Sequence, residues 1–492
     1  MLQPVNNKSL HEFAWSINGL SKKSIEKIHE SALDLLQNTG IKVEDNPRAL
    51  EIFNSGGCQV EEHKEYGIVK IPSAVVEKCL DDTPRNVTVY GRGDDSGYTF
   101  KDNHITFTPF GEQIQIIDPE TREIRKTTQQ DVADITRLCD HFDQVAVVQR
   151  MAAALEKPLG THPVFNAQAM FENTGKHILI GPVDAEKFQV LADIAAAHAG
   201  SRENLEKRPL FTTLTCPTDP FRLEKNCADL IIESALLEGG GFVSSPVPLL
   251  AMSTPASLSG TLVIVWTDIL AGLILGQLTR PGTRTFVSNS GTMMDLRFMG
   301  SDYGAPEMAM ISAGITQISR YFNLPSHGSG FHSDCKTIDA QCGYESAMNG
   351  VITAMSGLNI INGLGAIELG FTFDYAKFMM DIDMVNNIKV LLNGVDMSED
   401  EIALDMIKAQ GPGGEFLSSP HTLQRLRQLS NPSLFDRRNR KGWVKLEQQD
   451  IVDRAYAEAG KIISSHEPPE VSADVKGQVN EIIEKYLQER SE

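Results

Sequence analysis

From about Thr128 the chain alternates between short apolar or small-residue runs and longer stretches of helical pattern. The runs fall at residues 145–151, 177–181, 210–215, 241–245, 285–288, 324–327 and 358–363. Helical stretches at 185–199, 221–238, 255–278, 306–322 and 343–355 lie between them. A strand that must cross back through a helix pairs parallel with the next strand, so the pattern specifies a parallel sheet covered by helices. Roughly 250 residues of such alternation is the length of a (β/α)8 TIM barrel. Seven strands are evident, and the eighth is expected near residues 391–395. A doubly wound open sheet is the alternative.

The flanks read differently. Residues 21–39 form an amphipathic pattern, with Ile25, Ile28, Leu33, Leu35 and Leu36 apolar and Gly40 at its end. Strand-like runs follow at 67–71, 86–90, 98–100, 104–108 and 113–117, separated by turn-forming segments such as RGDDSG and DPET. Beyond Asp396 the chain is helical and charged, with a glycine-rich GPGGEFL and a basic DRRNRKGW. The expected division is an N-terminal helix and β region capping the barrel (1–127), a barrel (128–395) and a C-terminal helical extension (396–492).

Charge and cysteine usage exclude several classes. The formal net charge of −20 argues against nucleic acid, which needs a basic face, and accommodates a cationic substrate. Seven cysteines without a C-x-x-C pair do not make a secreted disulfide framework. Residues 261–278 (TLVIVWTDILAGLILGQL) approach the length of a membrane span. With Asp268 at the centre, they read instead as a buried helix. A soluble, cytoplasmic enzyme without a membrane or nucleic-acid partner is expected.

In a parallel barrel the reactive residues follow the carboxyl ends of the strands. That rule selects Gln149 and Arg150, 182–184, 216–219, Pro246, 289–292, 327–334 and 364–368. The richest loop, HGSGFHSDCKTIDAQCGYE, holds His327, His332 and Cys335, which are zinc-ligand types, but H-x4-H-x2-C matches no structural zinc spacing. Polar substrate contacts and structural polar packing are both stronger readings than a metal site, and no bound metal is expected. There is no P-loop, no G-x-S-x-G elbow and no H-E-x-x-H. Gly363-Leu364-Gly365 lacks the third glycine of a dinucleotide fingerprint. Phe110, Phe331, Phe371, Phe373 and Tyr375 sit near loops. A quaternary ammonium has no N–H to donate, and aromatic faces hold it at about 0.5–2 kcal/mol per ring.

Four segments carry a resemblance: ESALDLLQNTGIKVEDNPRALEIFNSGGCQVE, GEQIQIIDPETREIRKTTQQDVADITRLCDHFDQV, HGSGFHSDCKTIDAQCGYESAMNG and GPGGEFLSSPHTLQRLRQ. In this order, over almost the whole chain, they resemble the trimethylamine methyltransferase family. The resemblance implies a (β/α)8 barrel and a corrinoid (cobalamin) carried by a partner protein. In the branch named for trimethylamine, a pyrrolysine lies in the barrel cavity. Here Gly330, Phe331, His332 and Ser333 are ordinary residues, which is similar to the branch acting on glycine betaine, carnitine or proline betaine. The implied reaction moves a methyl group from a quaternary amine, glycine betaine first, to cobalt(I), leaving dimethylglycine. The expected substrate-binding residues are Phe110, Arg297, Phe331, His332, Phe371, Phe373 and Tyr375, with His332 or Arg297 at the carboxylate and no catalytic dyad. A homo-oligomer is expected. Two other readings remain: a zinc-dependent corrinoid methyltransferase, and a betaine-binding protein without turnover.

Overall fold

The computed structural model describes residues 11–12, 19–93, 96–100, 104–446 and 448–490. Eight parallel strands make the central sheet: β1 (His104–Pro109), β2 (Val147–Gln149), β3 (His177–Ile180), β4 (Phe211–Thr215), β5 (Gly241–Ser244), β6 (Arg284–Asn289), β7 (Ser326–Ser329) and β8 (Ile360–Leu364). From β2 to β8 each hydrogen-bonds to its neighbour in sequence, and β8 pairs in parallel with β1. The circle closes between β1 and β2. Phe107 N donates to Gln144 O at 3.1 Å, Ala146 N to Thr106 Oγ1 at 2.8 Å and Gln149 N to Thr108 Oγ1 at 2.9 Å. A helix follows every strand: α1 (Gln129–His141), α2 (His162–Asn173), α3 (Ala185–Ala199), α4 (Lys225–Leu236), α5 (Leu258–Thr279), α6 (Pro306–Tyr321), α7 (Ala340–Ser356) and α8 (Tyr375–Leu392). This is the (β/α)8 barrel that the alternation specifies.

The eighth strand is not at 391–395, where α8 ends and a turn begins. It is β1, whose sequence HITFTP alternates like a surface hairpin strand yet is buried on both faces. Its polar side chains explain the misreading: Thr106 and Thr108 are the acceptors that close the barrel.

The hairpin of Val87–Tyr90 and Gly97–Phe100 seals the N-terminal end of the barrel. Val87, Val89 and Phe100 pack there on Val147, Leu179, Val243, Phe286 and Ile360. Most of the N-terminal β region therefore lies away from the mouth. Among the strands of the described residues before α1, Gln115–Ile117 and Ile124–Lys126 join Thr372–Phe373, on the segment that follows the carboxyl end of β8. The helix Lys22–Asp34 and its α/β neighbours pack on α5 instead.

Helix α5 is long and apolar enough to cross a membrane by length and composition, and here it is mostly buried between the N-terminal unit, α4 and α6. Asp268 at its centre has a local partner. Its Oδ1 accepts from Phe221 N at 2.7 Å, and burial together with the neighbouring Asp219 holds its carboxyl well above the usual range. Near the C-terminus, Ile451–Ser465 packs on α8 and α1, and Ala473–Glu489 on α3.

Candidate functional site

The interior of the barrel changes character along the strands. Above the apolar layer, side chains at the carboxyl ends form a polar chain. Ser245 Oγ lies 3.1 Å from Ser290 Oγ and 3.0 Å from Ser288 Oγ, and Ser288 Oγ lies 2.8 Å from His327 Nδ1. His327 Nε2 is 2.8 Å from Gln149 Oε1 and 3.3 Å from Asn362 Nδ2. Asn362 Oδ1 is in turn 3.1 Å from His332 Nε2. Burial pushes the pKa of both His327 and His332 down to about 3, so both rings are neutral near pH 7.

His332 is fully buried, yet its Nδ1 has no partner. A buried polar atom without a hydrogen bond is costly and uncommon, and one at a barrel mouth marks a place where a ligand group would be satisfied. The Asn362 amide sets which kind of group. With its oxygen toward His332, the hydrogen is on Nε2 and Nδ1 accepts. With the amide turned over, Nδ1 carries the hydrogen and donates. The amide of Gln113, on the segment after β1, is also buried, and neither its nitrogen nor its oxygen has a partner.

Rings gather at the same place. Phe110 meets His332 edge-on at 4.4 Å between centroids and lies 5.9 Å from Tyr303, and Tyr303 lies 5.0 Å from His332. Tyr303 OH donates to Ser290 O at 3.1 Å, and its N–H joins that of Gly304 on the Asp334 carboxyl at 3.1 and 2.7 Å. Burial, with the charges of Glu345 and Asp302, raises Asp334 to about 7. Beneath the rings, Lys377 Nζ donates to Phe331 O at 2.9 Å and to Asp381 Oδ2, which also accepts from Gly365 N at 2.8 Å. This buried pair fixes the β7 and β8 loops against each other. Gly363 (φ +117°) allows their close approach, because a Cβ there would lie 2.7 Å from Phe331 N and 2.9 Å from the His332 ring.

Of the seven residues singled out from sequence, the structure brings Phe110 and His332 into ring contact. Phe331 is fully buried in the layer between strands and helices, edge-on to Phe107 at 5.6 Å and pressed on Gly350. Phe373 and Tyr375 pack together in the same core at 5.3 Å. Phe371 is about half exposed, and Arg297 is exposed and paired with Asp295 on the hairpin of Thr292–Asp295 and Gly300–Asp302. Sequence reasoning missed Tyr303 and Gln113. Gln113 is near a strand end and was within reach of that rule, but Tyr303 arrives on an excursion after β6 that no rule marks.

Among the described residues, no three His, Cys, Asp or Glu side chains converge as metal ligands. Around the mouth, the loops after β2, β5 and β6 hold Leu159, Met252, Leu296, Phe298 and Met299 exposed. Such a rim of apolar side chains is the kind of surface that another protein covers.

Residues 4–491 match the model of the family described as trimethylamine methyltransferase. The chain is 36% identical to a trimethylamine methyltransferase of Desulfitobacterium hafniense, over 96% of this chain and 94% of that one. It is 31% identical to a trimethylamine methyltransferase of Methanosarcina thermophila, over 93% and 95%. It is also 28% identical to a glycine betaine methyltransferase of Desulfitobacterium hafniense, over 95% and 96%.

Proposed function

The chain belongs to the trimethylamine methyltransferase family and is a methyltransferase, and from that premise we propose that it takes a methyl group from a quaternary amine, glycine betaine first, and passes it to a corrinoid held by a partner protein in the cytoplasm. The observation that carries this reading is the corner of Phe110, Tyr303 and neutral His332 at the barrel mouth, beside the unpartnered Nδ1. A trimethylammonium group offers its charge through methyl groups, and ring faces are its natural contacts. The carboxylate of a betaine needs donors. His332 Nδ1–H, in the tautomer set by a turned Asn362 amide, and Gln113 Nε2 are available and buried.

The corrinoid would supply a cobalt(I) nucleophile at the mouth. Its fit there rests on the buried, unpartnered His332 and Gln113 atoms on the segments that follow strands β7 and β1, and on the exposed apolar rim of Leu159, Met252, Leu296, Phe298 and Met299. What the chain contributes is orientation and exclusion of water. The rings fix the nitrogen, the donors fix the opposite end, and one methyl is left facing the opening. The C–N bond breaks with its electron pair going to nitrogen, and the tertiary amine leaves neutral. No proton need be delivered, so the polar chain has only to hold His332 in one orientation.

A second reading follows from the other tautomer. Nδ1 as an acceptor suits the N–H of protonated trimethylamine, the substrate named for the relatives at 36% and 31% identity. Incubation with a reduced corrinoid protein and each of glycine betaine, carnitine, proline betaine and trimethylamine separates the two. Release of dimethylglycine, undiminished by a chelator, is expected. Dimethylamine in its place would establish the second reading. Betaine binding without product would leave a binding protein, and activity abolished by the chelator would establish zinc chemistry.

A further inference from the structure

Arg150 stands at the end of β2, next to the Gln149 that braces His327, and the polar chain does not use it. Its guanidinium is largely buried. Nη1 donates to Gly181 O at 2.7 Å, and Nη2 pairs with Glu112 Oε2 at 3.0 Å. Glu112 has further donors: Asn166 Nδ2 donates to Oε1 at 3.2 Å, and His162 Nε2 lies 3.5 Å from the same atom. A guanidinium has five N–H groups, and no other acceptor among the described residues meets the remaining three. Alternation places this head over the inside of the barrel. Leu179 belongs to the apolar layer inside, so position 181, two residues on, points the same way. A Cβ there would lie 3.9 Å from Arg150 Nη2 and 3.9 Å from Leu214, which packs on that layer. Cys216, two beyond Leu214, is exposed yet so crowded that desolvation raises its thiol to about 11, with Arg150 pulling it down. Burial raises the Tyr303 hydroxyl too, and Cys216 adds to that shift. On the other side Gly111, beside Phe110, fits against the Arg150 backbone, where a Cβ would be 1.5 Å from the carbonyl oxygen. Arg150 therefore borders the opening that Phe110, Tyr303 and His332 surround.

A betaine carries what trimethylamine lacks, a full negative charge held a short chain from the nitrogen. His332 Nδ1–H and Gln113 Nε2 can donate to that carboxylate, but neutral donors serve a carbonyl or a water as well. A cation does not. It favours the anion and penalises an amine that brings only positive charge. Two other cations near the mouth are already engaged. Lys377 is held beneath the rings by Asp381 and Phe331 O, and Arg297 is exposed with Nε and Nη2 both on Asp295. We propose that Arg150 is the specificity-determining residue of the pocket, its spare N–H groups receiving the substrate carboxylate, with Glu112 and Gly181 O holding the fork in place. The assignment rests on the quaternary-amine reading above and narrows it to substrates that carry a carboxylate.

Calorimetric binding of glycine betaine and of tetramethylammonium, a quaternary ion without a carboxylate, tests it. Wild type should prefer betaine. Arg150→Met should weaken betaine binding about 10- to 100-fold and leave tetramethylammonium bound as tightly or more tightly. Arg150→Lys, which keeps the charge without the fork, should recover part of the loss. Because Arg150→Met strands the Glu112 carboxylate, Arg150→Met with Glu112→Gln should show the same split, and it decides where the single variant folds poorly. Betaine binding that survives Arg150→Met, or a loss shared equally by both ions in a folded variant, overturns the assignment and makes Arg150 a clamp between the loops after β1 and β3. Wild type that prefers tetramethylammonium to betaine overturns it while leaving the quaternary-amine reading standing. Wild type that binds neither ion overturns both.

Discussion

The two ends of one barrel each bury a neutral histidine, and they treat it differently. At the sealed end, His177 Nδ1 lies 2.9 Å from Tyr90 O and Nε2 lies 2.8 Å from Thr212 Oγ1, so both nitrogens are satisfied. At the mouth, His332 has one partner and one bare nitrogen. Burial is the largest cause at each and takes both to about pKa 3, with Arg284 adding to it at His177 and Lys377 at His332. The shifted pKa therefore does not distinguish a structural histidine from a ligand-facing one, and the count of satisfied nitrogens does. The surroundings agree: His177 belongs with Val89, Leu179 and Phe286, His332 with Phe110, Tyr303 and Asn362. In barrels of this kind the end away from the mouth serves stability and the mouth serves function, and on the proposed function His332 falls on the second side of that division.

The sharpest way to break this division is to remove a ring from each kind of surroundings. Phe286→Ala at the sealed end and Phe331→Ala in the strand–helix layer should each cost about 3–5 kcal/mol of unfolding free energy, read by urea titration. A loss under about 1 kcal/mol at either position would mean that the ring is not core. Phe110→Ala should leave the urea midpoint almost unmoved and weaken betaine binding by about 1–2 kcal/mol, measured calorimetrically. Normal binding by that variant removes Phe110 from the pocket.

The histidines give a test with a sign. His177 stays neutral in the fold down to about pH 3, while a histidine in the unfolded chain takes up its proton near 6.5. Its contribution to stability is complete above pH 6.5 and is lost as the pH falls toward 3. The stability difference between wild type and His177→Gln should shrink by about 1 kcal/mol between pH 6.5 and 5.5. A constant difference would show that His177 protonates without cost. The smallest effect belongs to Arg297. Its exposed pair with Asp295 predicts no resolvable change in stability or in betaine binding for Arg297→Ala. A large loss of affinity for the corrinoid protein alone would place it at the docking rim.

Much of this organisation was readable from residue order, because alternation with long helices permits few topologies. Seven strands and the rule that function follows their carboxyl ends led to Gln149, His327 and His332. Strand β1 escaped because its threonines serve the barrel seam and look like the polar face of a surface hairpin. The rings were harder. Phe331 and His332 are adjacent, yet one packs on Phe107 and Gly350 and the other on Phe110, Tyr303 and Asn362, and Gly363 lets the β7 loop pass close to β8 between them. That is a long-range fact, invisible in a local pattern. Tyr303 was out of reach for the same reason: its place is set by Asp334 and Ser290, both distant in sequence.

The hairpin that plugs the N-terminal end has a consequence for traffic. A barrel stoppered at the bottom has one doorway, and substrate and spent amine must both use it. If the methyl acceptor docks on that doorway, it closes the route while transfer takes place. The amine then has to enter before the acceptor arrives and can leave only after it withdraws. On that reading the architecture would impose the order of turnover, and saturating acceptor would slow the enzyme by standing in the doorway.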